Sequence, residues 1–301
     1  MRFSRALALG ATMLVAIAAC SSGGGSKPEI KVGSDGFYES KLVAEMFAQV
    51  LEADGYPVTR NLGIGARELR QPALENGDID ISPEYVGSGL GFYDQAAPTG
   101  DGPANRDALA ATLAEKKITV FGITPGEDTN AAVVRQDTAD QYNLTTMSDL
   151  AAVQDELTWG LPSECDERPL CKGALEAYGI TYPPKQREAL AACDAPIAQA
   201  LQGKAIDFGW LCSTQPAIAQ FGFVLLEDDK DTQPAENMTA LVRDDLLAKV
   251  GDKAAFQKLL DDVLATLTTE ELTKMGVEVA VDQKDVADVA KAFLTANGLL
   301  E

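Results

Sequence analysis

Two different periods of apolar positions alternate along the first hundred residues of the chain and predict alternating strands and helices. A helix is indicated where Leu42, Val43, Met46, Phe47 and Val50 recur at helical spacing. The predicted order is a strand at 29–32, a helix at 39–54, a strand at 58–62, a helix at 66–76 that bends or starts late at Pro72, and a strand at 78–82. This order favours a mostly parallel sheet covered by helices.

The C-terminal part of the chain carries two further apolar stripes at helical spacing. One runs from Phe256 to Leu267, and Thr268 with Glu271 has the spacing of a capping box. The other begins at Asp282 and ends at 297–298. We expect both stripes to belong to a hydrophobic core.

A short internal repeat indicates that the pattern occurs twice. Residues 73–81 align without gaps on residues 200–208, with four identical positions. Both copies predict a helix that turns sharply into a strand, and ligands of such sheets bind beyond the carboxyl ends of the strands, here 83–85 and 210–214. Two apolar stretches with similar endings, 130–135 and 237–243, are interpreted as crossings between two lobes.

The N-terminus has the features of a bacterial lipoprotein precursor. Arg2 and Arg5 precede an apolar run that is too short to span a bilayer, and small residues lead to Cys20. We expect a signal peptide at 1–19 and a lipidated, flexible Ser/Gly tether at 20–28. The mature protein would then lie at the outer face of the cytoplasmic membrane, anchored only through Cys20. A plain secretory signal with an incidental cysteine is the alternative.

Composition narrows the function classes. The chain has 301 residues, of which 46% are hydrophobic, and a net charge of −21. Such a negative surface repels nucleic acid and anionic lipid headgroups. There is no histidine, which removes His-based catalysis and the commonest transition-metal ligand. A carboxylate or serine–lysine enzyme stays open, but we expect no enzyme, no cofactor and no metal.

Four cysteines besides Cys20 indicate two disulfides in an oxidising compartment. Three connectivities are possible. We favour Cys165–Cys171, which closes a short loop around Pro169, and Cys193–Cys212, which ties two segments of one lobe. A zinc site is the weaker alternative, because the spacing is not CxxC and no histidine is present.

Several motifs, in their order and spacing, resemble the substrate-binding lipoproteins of osmoprotectant ABC importers, which take glycine betaine, choline, carnitine and related compounds. The motifs include Gly-Ser-Asp-Gly-Phe at 33–37, Ile-Asp at 79–80, Pro-Glu-Tyr-Val-Gly at 83–87, Thr-Asn-Ala at 129–131, Thr-Met-Ser-Asp-Leu at 146–150, Arg168, Ser-Thr at 213–214 and Asp-Asp-Lys at 228–230. The resemblance covers nearly all of 29–300. It implies an α/β, two-lobed, periplasmic-binding-protein-like fold (type II) with two hinge crossings. We expect lobe 1 at 29–130 and 237–301 and lobe 2 at 131–236.

The resemblance also implies where a ligand binds. A quaternary ammonium cannot donate a hydrogen bond and is held by aromatic faces, whereas a carboxylate needs charged or backbone donors. Tyr85 matches a cage tyrosine, Trp210 lies near another cage position, and Arg168 matches an arginine that reaches the ligand carboxylate. As alternatives, both aromatic residues are core, and Arg168 forms a surface ion pair with Asp166 or Glu167. The expected ligand-binding set is Asp35, Phe37, Tyr38, Tyr85, Asp128, Thr129, Asn130, Arg168, Trp210, Ser213 and Glu236.

The chain departs from the family pattern at three positions. Asp35 stands where the family often has lysine, Asn130 where it often has tyrosine, and a third aromatic position falls near Glu236. Each lost ring removes about 0.5–2 kcal/mol of cation binding, which Phe37, Tyr38 and Phe92 are candidates to replace. The acidic residues favour a cation without a carboxylate, such as choline, whereas Asn130 and Asn237 suit a neutral, hydroxyl-rich solute.

We therefore expect a non-catalytic, extracytoplasmic solute-binding protein that captures a quaternary-ammonium osmoprotectant between two lobes. It would act as a monomer and deliver the solute to the transmembrane subunit of an ABC permease. The alternatives are a transport protein for a neutral hydroxylated or aromatic solute, a sensor or scaffold lipoprotein, and an enzyme on the same scaffold.

Overall fold

The computed structural model describes residues 27–94, 97–181, 187–191, 193 and 195–301. The predicted signal peptide at 1–19 and the predicted lipidation site at Cys20 lie outside the described residues. Two five-stranded mixed sheets, each with its own helices, make up the described chain. Within it, no helix is both long and apolar enough to cross a membrane.

Ten strands and twelve α-helices are described. The strands are β1 (Ile30–Gly33), β2 (Val58–Asn61), β3 (Ile81–Tyr85), β4 (Ile118–Glu127), β5 (Asn130–Val134), β6 (Trp159–Pro162), β7 (Arg187–Leu190), β8 (Phe208–Cys212), β9 (Val224–Leu225) and β10 (Asn237–Arg243). The helices are α1 (Tyr38–Ala53), α2 (Arg67–Asn76), α3 (Val86–Tyr93), α4 (Gly102–Ala114), α5 (Gln136–Tyr142), α6 (Ala174–Ala177), α7 (Ala195–Gln202), α8 (Ala217–Phe221), α9 (Asp244–Leu247), α10 (Lys253–Thr266), α11 (Thr269–Gly276) and α12 (Val286–Ala296). Short 3₁₀ segments lie at Met147–Ala152, Gln154–Glu156 and Cys165–Glu167, and π-helical segments at Pro169–Gly173 and Val277–Val281.

The two sheets have the same plan. The first has the order β2-β1-β3-β10-β4 and the second the order β7-β6-β8-β5-β9. In the first, β1 is parallel to β2 and β3, while β10 runs antiparallel between β3 and β4. In the second, β6 is parallel to β7 and β8, while β5 runs antiparallel between β8 and β9. The predicted α/β class with parallel strand–helix units is therefore confirmed.

The interpretation of 130–135 and 237–243 as crossings is wrong. Both stretches are inner strands, β5 and β10, and are buried over most of their length. The chain passes between the sheets just before each of them, between Glu127 and Asn130 and between Leu225 and Asn237. A continuous apolar run fits a strand covered on both faces as well as a buried crossing, so the pattern alone did not separate the two.

The predicted elements of the first hundred residues are present, with shifted ends. Pro72 lies inside α2 rather than at its start, and β3 begins at Ile81 instead of residue 78. The last helix begins at Val286 and not at Asp282, because the Asp285 side chain accepts the Ala287 N–H and caps it there. Local capping, rather than the apolar stripe, determines this helix start.

The internal repeat has the same local structure in both copies. In each, an aspartate in the turn before a strand forms two hydrogen bonds with the backbone of a neighbouring chain segment. The Asp80 carboxylate accepts the Lys31 N–H at 2.9 Å, and the Asp80 N–H donates to the Lys31 carbonyl at 2.7 Å. In the second sheet, the Asp207 carboxylate accepts the Thr158 N–H at 3.0 Å, and the Asp207 N–H donates to the Thr158 carbonyl at 2.8 Å. The aspartate shared by the two copies therefore has the same role in each.

An arginine at the end of each antiparallel strand completes this arrangement: Arg243 is the last residue of β10, and Arg135 follows β5. Arg243 donates to the carbonyls of Leu74 and Glu75 at the end of α2, both at 2.8 Å. Arg135 donates to the Ile206 carbonyl in the turn after α7, and to Asp207 at 2.8 Å. A cation placed there satisfies carbonyls that the helix leaves without partners. The arginine of the Val-Arg ending common to the two stretches therefore has the same role in both halves: it donates to the end of a helix or to the turn that follows it.

Candidate functional site

A cavity of about 220 Å³ is lined by residues of both sheets. Tyr85 and Cys212 are the last residues of β3 and β8, and both line it. The cavity thus lies at the carboxyl ends of strands, where open α/β sheets bind ligands. Its volume is below the range of about 300–1,000 Å³ that is usual for drug-sized ligands, which suits a small solute.

Seven of the eleven residues expected to bind a ligand line this cavity: Phe37, Tyr85, Asp128, Asn130, Arg168, Trp210 and Glu236. The other four lie outside the lining. Asp35 is paired with Arg70 at 3.1 Å, and the Tyr38 hydroxyl donates to the Thr214 carbonyl at 3.5 Å. Thr129 and Ser213 hydrogen-bond each other, through the Thr129 N–H to Ser213 Oγ at 3.0 Å and the Ser213 N–H to the Thr129 carbonyl at 2.8 Å.

Four aromatic residues line the cavity: Phe37, Tyr85, Phe92 and Trp210. Phe92, one of the candidates to replace a lost ring, lies in α3 and is 40% exposed. Phe37 directly precedes α1, Tyr85 ends β3, and Trp210 lies in the middle of β8. The Phe37 and Tyr85 rings are stacked with centroids 6.1 Å apart. Tyr85 and Trp210 are 7% and 2% exposed and also belong to the cores of their sheets. Each of these two residues therefore serves as core and as cavity wall.

Two buried carboxyl groups, Glu39 and Asp128, connect the two halves next to Tyr85. Tyr85 Oη donates to Glu39 Oε1 at 2.5 Å, and Thr214 Oγ1 donates to Glu39 Oε2 at 3.0 Å. The Thr214 N–H donates to Asp128 Oδ1 at 2.9 Å. Burial and then the charge of Asp128 raise the pKa of Glu39 well above its ordinary value. Burial also raises the pKa of Asp128, but hydrogen bonds from Thr214 oppose it. Both carboxyl groups therefore have raised pKa values, and the rise is larger for Glu39.

A buried ion cluster supports the Tyr85 backbone. Glu84, which is 1% exposed, accepts Arg67 Nε and Nη2 at 2.9 and 2.8 Å and also pairs with Arg70. Burial acts to raise the pKa of Glu84, but the two arginines outweigh it and lower this pKa to about 2. Glu84 Oε1 also accepts the Tyr85 N–H at 2.7 Å. The cluster therefore holds the strand end that carries the tyrosine.

Glu236 brings a second carboxyl group to the cavity wall at the return crossing. It is 1% exposed and accepts the Ser88 N–H at 2.9 Å and the Ser88 hydroxyl. Burial raises the pKa of Glu236 to about 7. Its carbonyl accepts the Asp128 N–H at 3.2 Å, so the two crossings lie side by side and each contributes one carboxyl group to the cavity.

Arg168 lies in the loop closed by the Cys165–Cys171 disulfide and contacts the other half of the molecule. Its Nε and Nη2 donate to Glu68 on α2 at 3.1 and 3.0 Å, and Nη2 is 3.2 Å from Glu164. Arg168 therefore forms an ion pair, as the alternative interpretation expected. Its partners, however, are Glu68 and Glu164, and not Asp166 or Glu167. Burial acts to raise the pKa of Glu68, while Arg168 lowers it, and the pKa lies below its ordinary value.

Both disulfides have the predicted connectivity, and both reach the cavity. Cys165–Cys171 and Cys193–Cys212 have Cα atoms 5.2 and 5.1 Å apart. Cys171, Cys193 and Cys212 line the cavity. The two crosslinks therefore hold the wall that the second sheet contributes.

The residues that support the cavity wall carry little signal in the sequence. Arg67 and Arg70 lie three residues apart on α2, a spacing that places both guanidinium groups on one helix face. That spacing was the available signal, but nothing in the sequence identified Glu84 as their shared partner. Glu39 and Ser88 could not be identified from the sequence. Their role depends on hydrogen-bond partners that lie more than 40 residues away in the chain.

Removing the shared carboxylate should destabilise the protein strongly. We expect Glu84→Gln to lower the free energy of unfolding by about 3–5 kcal/mol, because it leaves two buried arginines without their partner. The pKa of Glu84 is depressed when folded, so its contribution is present above pH 4.5 and is lost as the pH falls towards 2. Urea unfolding at pH 7 and at lower pH measures both effects.

An exposed ion pair provides the control. Lys258 and Asp262 are 71% and 41% exposed along α10, and Asp262→Asn should cost less than about 1 kcal/mol. Equal losses in the two variants would show that Glu84 has no special structural role.

Known proteins with similar sequences bind related small solutes. Residues 28–296 match the family described as the substrate binding domain of ABC-type glycine betaine transport systems. The chain is 30% identical over 288 residues to the carnitine transport binding protein OpuCC of Listeria monocytogenes, covering 93% of this chain and 90% of that protein. It is 28% identical over 302 residues to the glycine betaine-binding protein YehZ of Escherichia coli, covering 97% and 98%.

Solved structures show the same fold. A glycine betaine/carnitine/choline ABC transporter structure matches with a TM-score of 0.69 at 24% identity, covering 90% of this chain and 100% of that chain. A choline-binding protein in complex with choline matches with a TM-score of 0.65 at 17% identity, covering 90% and 89%. The family match over most of the chain, the shared two-sheet fold and the cavity between the sheets lead to one conclusion. The chain belongs to the substrate-binding proteins of ABC-type glycine betaine transport systems, which are extracytoplasmic transport proteins and not enzymes.

Proposed function

We propose that this protein binds a quaternary ammonium solute of the glycine betaine or choline type in the cavity and delivers it to the transmembrane subunit of an ABC importer. The lobes that close on the solute are 29–130 with 237–301, and 131–236. The observation that carries the proposal is the convergence of Phe37, Tyr85 and Trp210 on one small cavity with an excess of carboxyl groups. Aromatic faces and negative charge together attract a cation that cannot donate hydrogen bonds.

The charges of the cavity wall support a cation over an anion. Six lining side chains are of charged types, of which four are acidic: Glu68, Asp128, Glu167 and Glu236. The two basic ones are Arg67 and Arg168, and each is already paired with a carboxylate. An anionic solute would meet net repulsion here, whereas a cation would relieve the mutual repulsion of the carboxylates.

The position of Asp128 and Glu236 links the cavity to lobe movement. Each lies in one of the two crossings, and the crossings hydrogen-bond each other through the Asp128 N–H. Movement of two lobes about two adjacent segments is a hinge closure. A solute that contacts carboxyl groups at the hinge is therefore placed to favour the closed arrangement.

A thermal-shift screen of the mature protein tests the proposal, with choline, glycine betaine, carnitine, sugars and phenolic compounds as ligands. A ligand at 100 times its dissociation constant should stabilise the folded state by about 2.7 kcal/mol. We expect a response to quaternary ammonium compounds. No response to either choline or glycine betaine would reject the proposed solute class, while a response to sugars or phenolic compounds alone would favour a neutral solute.

The Tyr85 ring is the sharpest single-residue test. Tyr85→Leu removes an aromatic face at similar size, and we expect the cation dissociation constant to rise about two- to thirtyfold. Tyr85→Phe is the matched control, since it keeps the ring and removes only the hydrogen bond to Glu39. Isothermal titration calorimetry compares the two, and equal losses would assign the effect to that hydrogen bond and not to the ring.

Cation binding should depend on pH through Glu236. Its pKa is raised from 4.5 to about 7 in the folded protein, so its protonated form favours folding and this contribution is lost as the pH rises through 7. A cation binds the ionised form, and we expect the apparent affinity to be about tenfold lower at pH 6 than at pH 8. Glu236→Gln should flatten this profile in titrations at the two pH values. If the variant keeps the full pH dependence, Glu39 or Asp128 carries the titration instead.

The anchor and the assembly state complete the proposal. We propose that Cys20 carries a lipid that holds the protein at the outer face of the cytoplasmic membrane, and that the folded part is a monomer. Support comes from the charged start, the apolar run and the Ser/Gly stretch around Cys20. In detergent phase partition of cells expressing the chain, the wild type should enter the detergent phase and Cys20→Ser the aqueous phase. Partition of both into the aqueous phase would favour a plain secretory signal.

A further inference from the structure

The two arginines of the cavity wall are both engaged by carboxylates of the protein itself. Arg67 donates through Nε and Nη2 to Glu84 at 2.9 and 2.8 Å. Arg168 donates through Nε and Nη2 to Glu68 at 3.1 and 3.0 Å. Each pair is bidentate, which is the geometry by which a guanidinium would also bind a ligand carboxylate. A carboxylate on the solute would therefore have to displace one of these internal groups.

The two pairs differ in how readily they can exchange. The Arg67–Glu84 pair is 11% and 1% exposed and is shared with the fully buried Arg70. The Arg168–Glu68 pair is 24% and 34% exposed. Arg168 is therefore the accessible one of the two, and Glu68 is the group that competes for it.

The Arg168–Glu68 pair also joins the two halves of the molecule without a ligand. Glu68 lies in the first turn of α2, which belongs with the first sheet. Arg168 lies in the Cys165–Cys171 loop, which packs with the second sheet. A solute does not need its own carboxylate to connect these two walls, because Glu68 supplies one.

We infer that Glu68 occupies the carboxylate-binding position of this site, so that the cavity selects quaternary ammonium compounds without a carboxylate, such as choline, over those with one, such as glycine betaine. The inference rests on the proposed function, since it takes a cation to be bound by the aromatic wall. A carboxylate entering the cavity meets Glu68, which already engages Arg168. A hydroxyl group brings no charge and can donate to a carboxylate.

The test compares dissociation constants for choline and glycine betaine by isothermal titration calorimetry in the wild type, Glu68→Gln and Glu167→Gln. The wild type should bind choline more tightly. Glu68→Gln keeps the side-chain shape but removes the bidentate carboxylate partner of Arg168, which then retains only the single contact with Glu164. The variant should shift the choline-to-betaine preference towards glycine betaine by about three- to tenfold, between the effect of a partly exposed ion pair and that of a charged hydrogen bond.

Glu167→Gln is the matched control. Glu167 also lines the cavity, but among the described residues it forms no ion pair with Arg168. Its loss removes the same charge without releasing Arg168, so the preference should stay within about twofold of the wild type. A purely structural effect of either variant would weaken both ligands together and leave their ratio unchanged.

The outcomes separate the inference from the proposed function. Tighter binding of glycine betaine than of choline by the wild type, or an unchanged ratio in Glu68→Gln, overturns the inference and leaves the proposed function in place. Absence of binding for both ligands overturns the proposed function and the inference with it.

Discussion

Charge that is buried between the two sheets must be balanced, either by another group of the protein or by the solute. Taking an ion out of water is costly unless a partner of opposite charge or several hydrogen bonds replace the water. The walls of the cavity follow this constraint closely. Glu84 is paired with two arginines. Glu39 accepts hydrogen bonds from the hydroxyl groups of Tyr85 and Thr214, and Asp128 accepts one from the Thr214 N–H. Among the described hydrogen bonds, only those from Ser88 reach the Glu236 carboxyl group, and burial raises its pKa to about 7. A bound cation would supply the missing positive charge.

The repeated architecture explains how buried charge can be placed at the crossings between the two halves. In both halves an aspartate fastens the turn before an inner strand, through Asp80 in one and Asp207 in the other. In both, an arginine at the end of the antiparallel strand hydrogen-bonds to the helix end or the turn that follows it, through Arg243 and Arg135. Each half therefore carries its own set of these contacts, and under the proposed function the halves would move about the crossings. The cavity carboxyl groups Asp128 and Glu236 lie at that place.

The aromatic rings and the carboxyl groups that line the cavity have complementary physical roles. The rings of Phe37, Tyr85, Phe92 and Trp210 line the cavity and have faces of negative potential. Under the proposed function, the carboxyl groups at the crossings, Glu236 in particular, would add to the attraction for a cation. Their contribution would depend on protonation.

Local patterns in the sequence determined the elements and the covalent framework, whereas the tertiary structure decided the site. Apolar periodicity predicted β1, α1, β2, α2 and β3, and the cysteine positions led to the correct disulfides. Periodicity did not separate the inner strands β5 and β10 from crossings, since burial on both faces gives one continuous apolar run in either case. It also misplaced the start of α12, which a single side-chain cap at Asp285 decides.

For the site, the resemblance to a known family implied eleven ligand-binding residues, of which seven line the cavity. Their contact with a solute stays a prediction. Asp35, Tyr38, Thr129 and Ser213 lie within three residues of those residues in the chain, but they form internal contacts instead. The partners of Glu84, Glu39 and Arg168 come from distant segments. The fold of the first half brings Arg67 and Arg70 to Glu84, and contact between the halves brings Thr214 to Glu39 and Glu68 to Arg168. The sequence does not reveal these pairs, because electrostatic pairing depends on positions in space and leaves no periodic pattern along a single chain.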